Sequence, residues 1–351
     1  MKKIAIAGVG GIGGNMGGYM TRGGQDVTLI CMSWKENAEV IKKDGLTLIS
    51  PSGEQQTVRP KVLFVDELPQ VKEKFQVLFI CMSSNDTVKT LNIIKPYITE
   101  DCWVISPQNG INEDLIIPIA GRKNVIPCVS HTGGGFVRPG VVSMHEGYYV
   151  IGELDGKITP RIKELAEMLR LVVPVRISDN VMQARWHKLC IAAMVAPVAQ
   201  IYGFEHGFLR GAFSHEKTRQ VLARFVIEVN RVAGAAGYPL DNVETIKIAD
   251  WAKYAKFPTI ELGQQIETAG AHFPGNTPPG IGKKGNADQR KISFSSEMDH
   301  INGYITRKGK ELGIPTPVND LVVEMVFAME TGKIKPGLAN LEKIIKLTDP
   351  K

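Results

Sequence analysis

Two groups of residues in this chain have the types and spacing for chemistry. The first is Gly8-Val9-Gly10-Gly11-Ile12-Gly13. An apolar run from Ile4 to Ala7 leads straight into Gly8-x-Gly10-x-x-Gly13; a small-residue helix follows, and a second apolar run opens at Asp26. In that setting each glycine has a task. Gly8 permits the tight turn, Gly10 lets backbone approach a pyrophosphate, and Gly13 lets helix and strand pack closely. The free N–H groups at the helix start, those of Gly11 and Ile12 included, face the phosphates with the positive end of the helix. The strand on each side separates this pattern from a glycine-rich turn without a ligand. The second group is Lys188, within Arg185-Trp186-His187-Lys188-Leu189, and Glu297, within Ser295-Ser296-Glu297-Met298-Asp299-His300-Ile301-Asn302-Gly303-Tyr304. A protonated ammonium aimed at a carbonyl oxygen stabilises the alkoxide formed as hydride arrives and can supply the proton. Glu297 can accept a hydrogen bond from a substrate hydroxyl or pair with Lys188. The plain alternatives are a surface lysine and a helix-surface acid. His187 points elsewhere around the helix than Lys188 and reads as packing or surface.

Further spots carry weaker signals. Gln108-Asn109-Gly110 follows the apolar run at 102–106, where a turn and an amide can contact a nicotinamide ribose; alone, Asn-Gly is an ordinary turn. The second strand ends at Ile30-Cys31-Met32-Ser33-Trp34-Lys35, with no acid to hold a ribose 2′-hydroxyl. Ser33 and Lys35 could instead hold a 2′-phosphate, so NADP is favoured over NAD. The stretch 270–291 is too rich in glycine and proline for regular structure; its Lys283, Lys284, Arg290 and Lys291 could close on an anion, or simply be solvated. His131, His145, His206, His215 and His272 lack metal-ligand spacing, so no metal is assigned.

These residues need elements to position them. The first half alternates short apolar runs (3–7, 26–31, 46–50, 61–65, 77–81, 102–106, 125–129, 141–144 and 147–151) with helical patterns (12–23, 35–43, 86–97, 112–119 and 159–170). That predicts an α/β domain, residues 1–177, with a parallel sheet covered on both faces. Segment 130–152 reads as an antiparallel extension turning at Pro139-Gly140. From 178 to 351 helical spacing dominates (180–201, 214–237, 241–254, 292–313 and 316–330), predicting an all-helical second domain. The apolar 316–330 stretch fits a homodimer interface or a core helix equally. The chain has 351 residues, enough for two cores, with 43% hydrophobic and 22% charged residues, as in soluble globular proteins. Its formal charge of +6 is dispersed, which suits anionic small molecules and argues against nucleic acid. No apolar run has membrane-spanning length, and a glycine-rich turn interrupts the N-terminal run, so neither a membrane partner nor a signal peptide is expected. Five scattered cysteines without a CxxC pair favour reduced thiols and a cytoplasmic location.

Taken in order and spacing, these pieces resemble the ketopantoate reductase family (2-dehydropantoate 2-reductases). The resemblance rests on Gly8-x-Gly10-x-x-Gly13, on Gln108-Asn109-Gly110, on Gly134…Pro139-Gly140…Gly147…Gly152, on Trp186-x-Lys188-Leu189, on Glu297 through Tyr304, and on Gly313-Ile314-Pro315-Thr316-Pro317-Val318-Asn319. It implies an N-terminal Rossmann dinucleotide-binding domain, a C-terminal helical domain, and a cofactor, usually NADPH, in the cleft. It implies a small keto acid as substrate, Lys188 as catalytic lysine, Asn109 as a cofactor and active-site residue, and Glu297 as the substrate-contacting acid. Three departures stand out. Asparagines expected four and eight residues after the lysine are Ala192 and Ala196, which share its helical face. A serine expected about twelve residues before the glutamate is missing; Gly285 or Asn286 is nearest. The family's lysine after a later strand aligns with Ser83. Expected functions are therefore an NADPH-dependent 2-oxo acid reductase, a same-fold dehydrogenase for a bulkier keto acid or an imine, or a non-catalytic NADP-binding sensor.

Overall fold

The computed structural model describes residues 1–203, 212–243, 245–271 and 295–348, and it divides into two compact units. The stretch 270–291 thus lies almost wholly outside the described residues, as do His206 and His272.

The first unit, Met1–Ala184, is built on two sheets. Its strands are β1 (Lys3–Ala7), β2 (Asp26–Cys31), β3 (Leu46–Ile49), β4 (Gln55–Val58), β5 (Lys61–Phe64), β6 (Phe75–Ile80), β7 (Ile98–Ser106), β8 (Val125–Ser130), β9 (Gly134–Arg138), β10 (Val141–Met144), β11 (Tyr149–Ile151) and β12 (Val175–Ile177). The main sheet has the order β12-β11-β8-β7-β6-β1-β2-β5. Its neighbours are parallel except β11, which runs antiparallel to β8. β1 lies inside, with Ile4 beside Val27 and Val77, and Ile4 to Ala7 are fully buried. Continuous apolar runs such as Val77–Ile80 are what a sheet covered on both faces requires. The second sheet, β4-β3-β10-β9, is mixed, and β9 and β10 form a hairpin at Pro139-Gly140, where Gly140 has φ +73°. Helices of this unit are α1 (Gly11–Arg22), α2 (Lys35–Asp44), α3 (Thr87–Ile94), α4 (Glu113–Ala120) and α5 (Pro160–Arg170).

The glycines of α1 explain the pair of sheets. A Cβ on Gly13 would come 2.0 Å from the Gly8 carbonyl oxygen, and one on Gly17 would come 2.3 Å from Leu29 of the main sheet. On the opposite side, a Cβ on Gly14 would meet Val142 at 2.8 Å and one on Gly18 would meet Leu48 at 2.4 Å, both in the second sheet. α1 is therefore held between two sheets by faces that have no side chains.

The second unit, from Arg185 on, is helical. It takes α6 (Val181–Tyr202) from Arg185 onward, then α7 (Glu216–Ala235), α8 (Ile248–Lys256), α9 (Ile260–Ala271), α10 (Ser295–Glu311), α11 (Pro317–Glu330) and α12 (Leu338–Leu347). The helix expected over 241–254 is corrected. Asn242–Val243 pairs antiparallel with Ile246–Lys247, and α8 starts only at Ile248, because a Pro-Leu-Asp-Asn turn and β-branched residues precede it. α11 buries Val318, Val322, Met325 and Val326 within its own unit, so the apolar content of 316–330 serves a core helix. No described helix is long and apolar enough to cross a membrane.

The start of α11 shows how this unit handles buried polar groups. Pro317 has no N–H, and the N-cap Thr316 offers no side-chain cap. The buried Glu228 of α7 caps the helix instead, its carboxylate accepting from the Val318 N–H at 2.7 Å and the Asn319 N–H at 2.9 Å. Burial pushes the Glu228 carboxyl up to about 7, against the pull of those two N–H donors, with Asp320 pushing further up. Between about pH 4.5 and 7 the folded chain thus holds a proton that the unfolded chain has released, so stability falls as pH rises through that window. Glu228→Gln should flatten this part of a stability–pH profile, removing a slope worth on the order of 3 kcal/mol; chemical denaturation from pH 4.5 to 8 checks it. An unchanged slope would remove Glu228 as its source.

Candidate functional site

In the first unit, the carboxyl ends of β1, β2, β6 and β7 converge on the glycine loop. The Gly8 N–H donates to the Ile30 carbonyl at 3.0 Å and the Cys81 N–H to the Ala7 carbonyl at 2.7 Å, so the loop is fixed from both sides. Gly8 has φ +97°, and a Cβ there would strike the Cys81 carbonyl oxygen and the Met82 sulfur, each at 2.6 Å. A Cβ on Gly11 would come 2.0 Å from the Gly134 carbonyl oxygen of β9. Gly10 alone of this motif faces open space: a Cβ there would meet nothing within 4 Å. Gly8, Gly11 and Gly13 are thus required by protein packing, while Gly10 leaves room beside a helix start whose first N–H groups have no intrahelical acceptor. Asn37 of α2 steadies the loop. It donates to the Val9 carbonyl at 3.1 Å and accepts from the Gly140 N–H at 2.8 Å.

Next to the loop is a cavity of about 440 Å³ lined by Met32, Ser33, Val65, Asp66, Leu68, Pro69, Met82, Asp86, Lys89, Thr90, Ile93 and Tyr97. Ser33 lies on its edge. Lys35 is exposed at the start of α2 and does not line the cavity; Lys89 supplies the cation there. Two acids, Asp66 and Asp86, face the same space. Trp34 packs on Phe136 of β9, their ring centroids 4.3 Å apart, and so ties the Ser33 turn to the second sheet. The Ser83 hydroxyl is buried and has no hydrogen-bond partner among the described residues. Gln108 is a clamp: its amide donates to the Met82 carbonyl at 2.8 Å and to Thr87 Oγ1 at 2.9 Å, and its oxygen accepts from Ser106. The neighbouring Asn109 is exposed, its backbone carbonyl held by Asn112 at 2.8 Å. An open cradle at Gly10, an apolar slot with polar edges and an unpartnered hydroxyl at Ser83 fit a dinucleotide.

In the second unit, α6 buries most of its residues. Leu189, Cys190, Ile191, Ala193, Met194 and Val195 are in its core, whereas Lys188, Ala192 and Ala196 are each partly exposed. The spacing of four therefore holds: one stripe carries an ammonium followed by two methyl groups. Glu297, in the first turn of α10, is half-buried. Burial pushes its carboxyl up. His187 is buried enough that its imidazole is pushed down, with Lys188 adding to the effect. Of the remaining histidines, His131 stacks on Tyr148 and His215 caps α7 through Nδ1, accepting from the Lys217 N–H. Among the described residues no group of three His, Cys, Asp or Glu is placed to hold a metal ion.

The match to known proteins extends over both units. Residues 4–156 match the family described as ketopantoate reductase PanE/ApbA, and residues 180–330 match its C-terminal part. The chain belongs to the ketopantoate reductase family. Its fold, an N-terminal Rossmann-type domain followed by a helical domain, is that of the family, and it is an oxidoreductase of that family. The 2-dehydropantoate 2-reductase of Lactococcus lactis is 26% identical over 342 residues, covering 93% of this chain and 98% of that one. Among solved structures, D-mandelate dehydrogenase with NADH and anilino(oxo)acetate has a TM-score of 0.74 at 24% identity, covering 94% of this chain and 99% of that one. A dimeric ketopantoate reductase from Staphylococcus aureus has a TM-score of 0.66 at 18% identity, covering 95% and 100%. As in other members, a nicotinamide dinucleotide is the cofactor class.

Asn37, Asp66, Asp86 and Lys89 were missed by sequence reasoning, since each reaches the site through contacts distant in the chain. One paired substitution tests the loop in this member of the ketopantoate reductase family. Gly13→Ala should destabilise the fold by about 1–3 kcal/mol through overpacking, whereas Gly10→Ala should leave unfolding unchanged and weaken binding of the nicotinamide dinucleotide at least about tenfold. Thermal unfolding and a nucleotide fluorescence titration read the two effects. Wild-type affinity for both NADPH and NADH in Gly10→Ala would sink the assignment of the cradle.

Proposed function

We propose that this protein is an NADPH-dependent 2-oxo acid reductase of the ketopantoate reductase type, converting 2-dehydropantoate to pantoate. The observation that carries the reading is the Lys188–Ala192–Ala196 stripe, which carries one ammonium on a partly exposed face of a helix whose other positions, Leu189 to Ile191 and Ala193 to Val195, are buried. The glycine loop, with Gly8, Gly10, Gly11, Ile12 and Gly13, holds the pyrophosphate; Ser33 and Ser83, with Lys89 as the cation, edge the adenosine end and Asn109 the nicotinamide end. When bound, the dinucleotide supplies a hydride to the carbonyl carbon. Lys188 polarises the carbonyl oxygen, stabilises the negative charge as it develops there and hands it a proton. Glu297 receives a hydrogen bond from a hydroxyl on the substrate. Burial, which pushes its carboxyl up, makes it a stronger acceptor for that task. A homodimer is the assembly proposed, in line with the dimeric Staphylococcus aureus protein.

A second reading is favoured by a specific observation. Ala192 and Ala196 line the stripe with methyl groups, which removes hydrogen-bonding partners for a hydroxylated substrate and makes room for a bulkier or more apolar 2-oxo acid. The solved D-mandelate dehydrogenase, with its aryl-substituted oxo acid, is a neighbour in fold. Cofactor choice is likewise open to a direct test, because Asp66 and Asp86 line the cavity beside Ser33 and that neighbour holds NADH.

Loss of absorbance at 340 nm, followed with NADPH or NADH and with ketopantoate or larger 2-oxo acids, separates these readings. Lys188→Ala should lower kcat about 10²- to 10⁴-fold on whichever acid is reduced. Ala192→Asn should shift kcat/KM toward ketopantoate by about tenfold or more. Turnover that survives Lys188→Ala removes the lysine from the mechanism, and an Ala192→Asn variant with unchanged selectivity removes the alanines as its determinants.

A further inference from the structure

α6 contains Pro197 in the last third of its 22 residues, with Ala193, Met194, Val195, Val198 and Ala199 buried around it. Proline has no N–H, so the carbonyl four residues earlier, that of Ala193, loses its helical donor. Ala193 is fully buried, and a buried carbonyl without a donor is costly. The structure supplies one from another helix: Asn302 Nδ2, on α10, donates to the Ala193 carbonyl at 2.9 Å. The same amide donates to Asn319 Oδ1 at 3.0 Å. Asn319 in turn donates to the Asn302 carbonyl at 2.9 Å and to Thr306 Oγ1 at 2.6 Å, and its backbone N–H is held by Glu228. Backbone carbonyls only accept, so both amides can point just one way. Asn302 and Asn319 are both buried, and together with Glu228 they join α6, α10, α11 and α7 at one point.

The stranded carbonyl belongs to the residue between Ala192 and Ala196 in the stripe, adjacent to the first and three residues before the second. It lies about 7 Å along the helix axis from Lys188. We propose that Asn302 is the positioning residue of the Lys188 helix: by binding the carbonyl that Pro197 strands, it fixes the segment carrying Ala192 and Ala196 next to the lysine. It touches no reacting atom and acts through α6. The inference rests on the reading of Lys188 given under the proposed function. It also gives a physical role to Asn302 and Asn319, two residues of the sequence motifs that the chemistry itself leaves unused.

The test is a double-mutant cycle between positions 197 and 302 in the full-length protein, with ketopantoate and the best of the larger 2-oxo acids as substrates. Asn302→Ala should lower kcat at least about tenfold, with NADPH affinity unchanged, since the loop is in the other unit. In a Pro197→Ala chain, residue 197 regains an N–H for the Ala193 carbonyl, and Asn302→Ala should then lower kcat less than about threefold. Asn302→Ser serves where the alanine variant does not fold, and unfolding midpoints of the four chains should show the same coupling. An equal loss of kcat in both backgrounds, or none in either, overturns the proposal. A coupling confined to unfolding, with kcat unmoved, also overturns it, because Asn302 then only stabilises. Lys188→Ala, run in parallel, keeps the failures apart: turnover that survives it refutes the lysine's role, and the positioning role with it, whatever the unfolding cycle shows.

Discussion

The approach of α1 to β1 is the constraint on which the first unit depends. Gly8 and Gly13 bring backbone so close that a single methyl at position 13 would sit 2.0 Å from a carbonyl oxygen. That contact sets the start of α1 at the carboxyl end of β1, and so sets where its unpaired N–H groups point. The means is expensive: Gly11, Gly13, Gly14, Gly17 and Gly18 all lie within α1, and each glycine costs about 1 kcal/mol of helix propensity relative to alanine. Burial of Met16, Tyr19 and Met20, at roughly 1.5–3 kcal/mol for a large apolar side chain, is of the size needed to offset it. The second sheet belongs to the same bargain. A helix with glycine faces on two sides can bury both only between two layers, and β3 and β10 supply the second.

The second unit is organised around backbone groups that its sequence leaves unpaired. Pro197 strands a carbonyl inside α6, and Pro317 together with an uncapped Thr316 leaves donors at the start of α11. Each is met by a side chain from another helix, Asn302 in one case and Glu228 in the other. Neither partner is replaceable by an apolar residue of similar volume without leaving a buried polar group unsatisfied. Such groups specify one arrangement of the helices, because a shift of register of α10 or α11 would break all of these bonds together.

How much of this was legible follows from the range of each interaction. The glycine loop, the Pro139-Gly140 turn and the stripe from Lys188 to Ala196 are local patterns, readable from spacing alone. β4 and β12 were not read: Gln55–Val58 is polar and exposed over most of its length, and Val175–Ile177 is only three residues long. α9 and α12 were also unread, and the pairing at 242–247 was taken for helix, since short β-branched segments fit either pattern. At the site, Asn37 reaches Gly140 over 103 residues and Asn302 reaches Ala193 over 109, distances at which a single sequence leaves no periodicity to follow. Pro197 was the visible signal of the second contact. A proline inside an apolar helical stretch announces a stranded carbonyl, and so a donor somewhere else in the chain.

The loss of two expected amides beside Lys188 and the presence of an amide at Asn302 have opposite meanings. A side chain on the partly exposed stripe interacts with whatever lies against the helix, so exchanging Asn for Ala at 192 or 196 changes the chemistry of that surface and leaves the backbone alone. Ala193, between them, points into the core, and its carbonyl must be bonded whatever substrate is used. Pocket chemistry and helix geometry are thus set by different residues on the same two turns. On the reading proposed above, that separation lets the surface next to the lysine vary while the lysine's own placement is kept. A family resemblance fixes the geometry and the reaction type more firmly than the substrate. On the same reading, the residues facing outward from α6, and not those holding it, are where the substrate is decided.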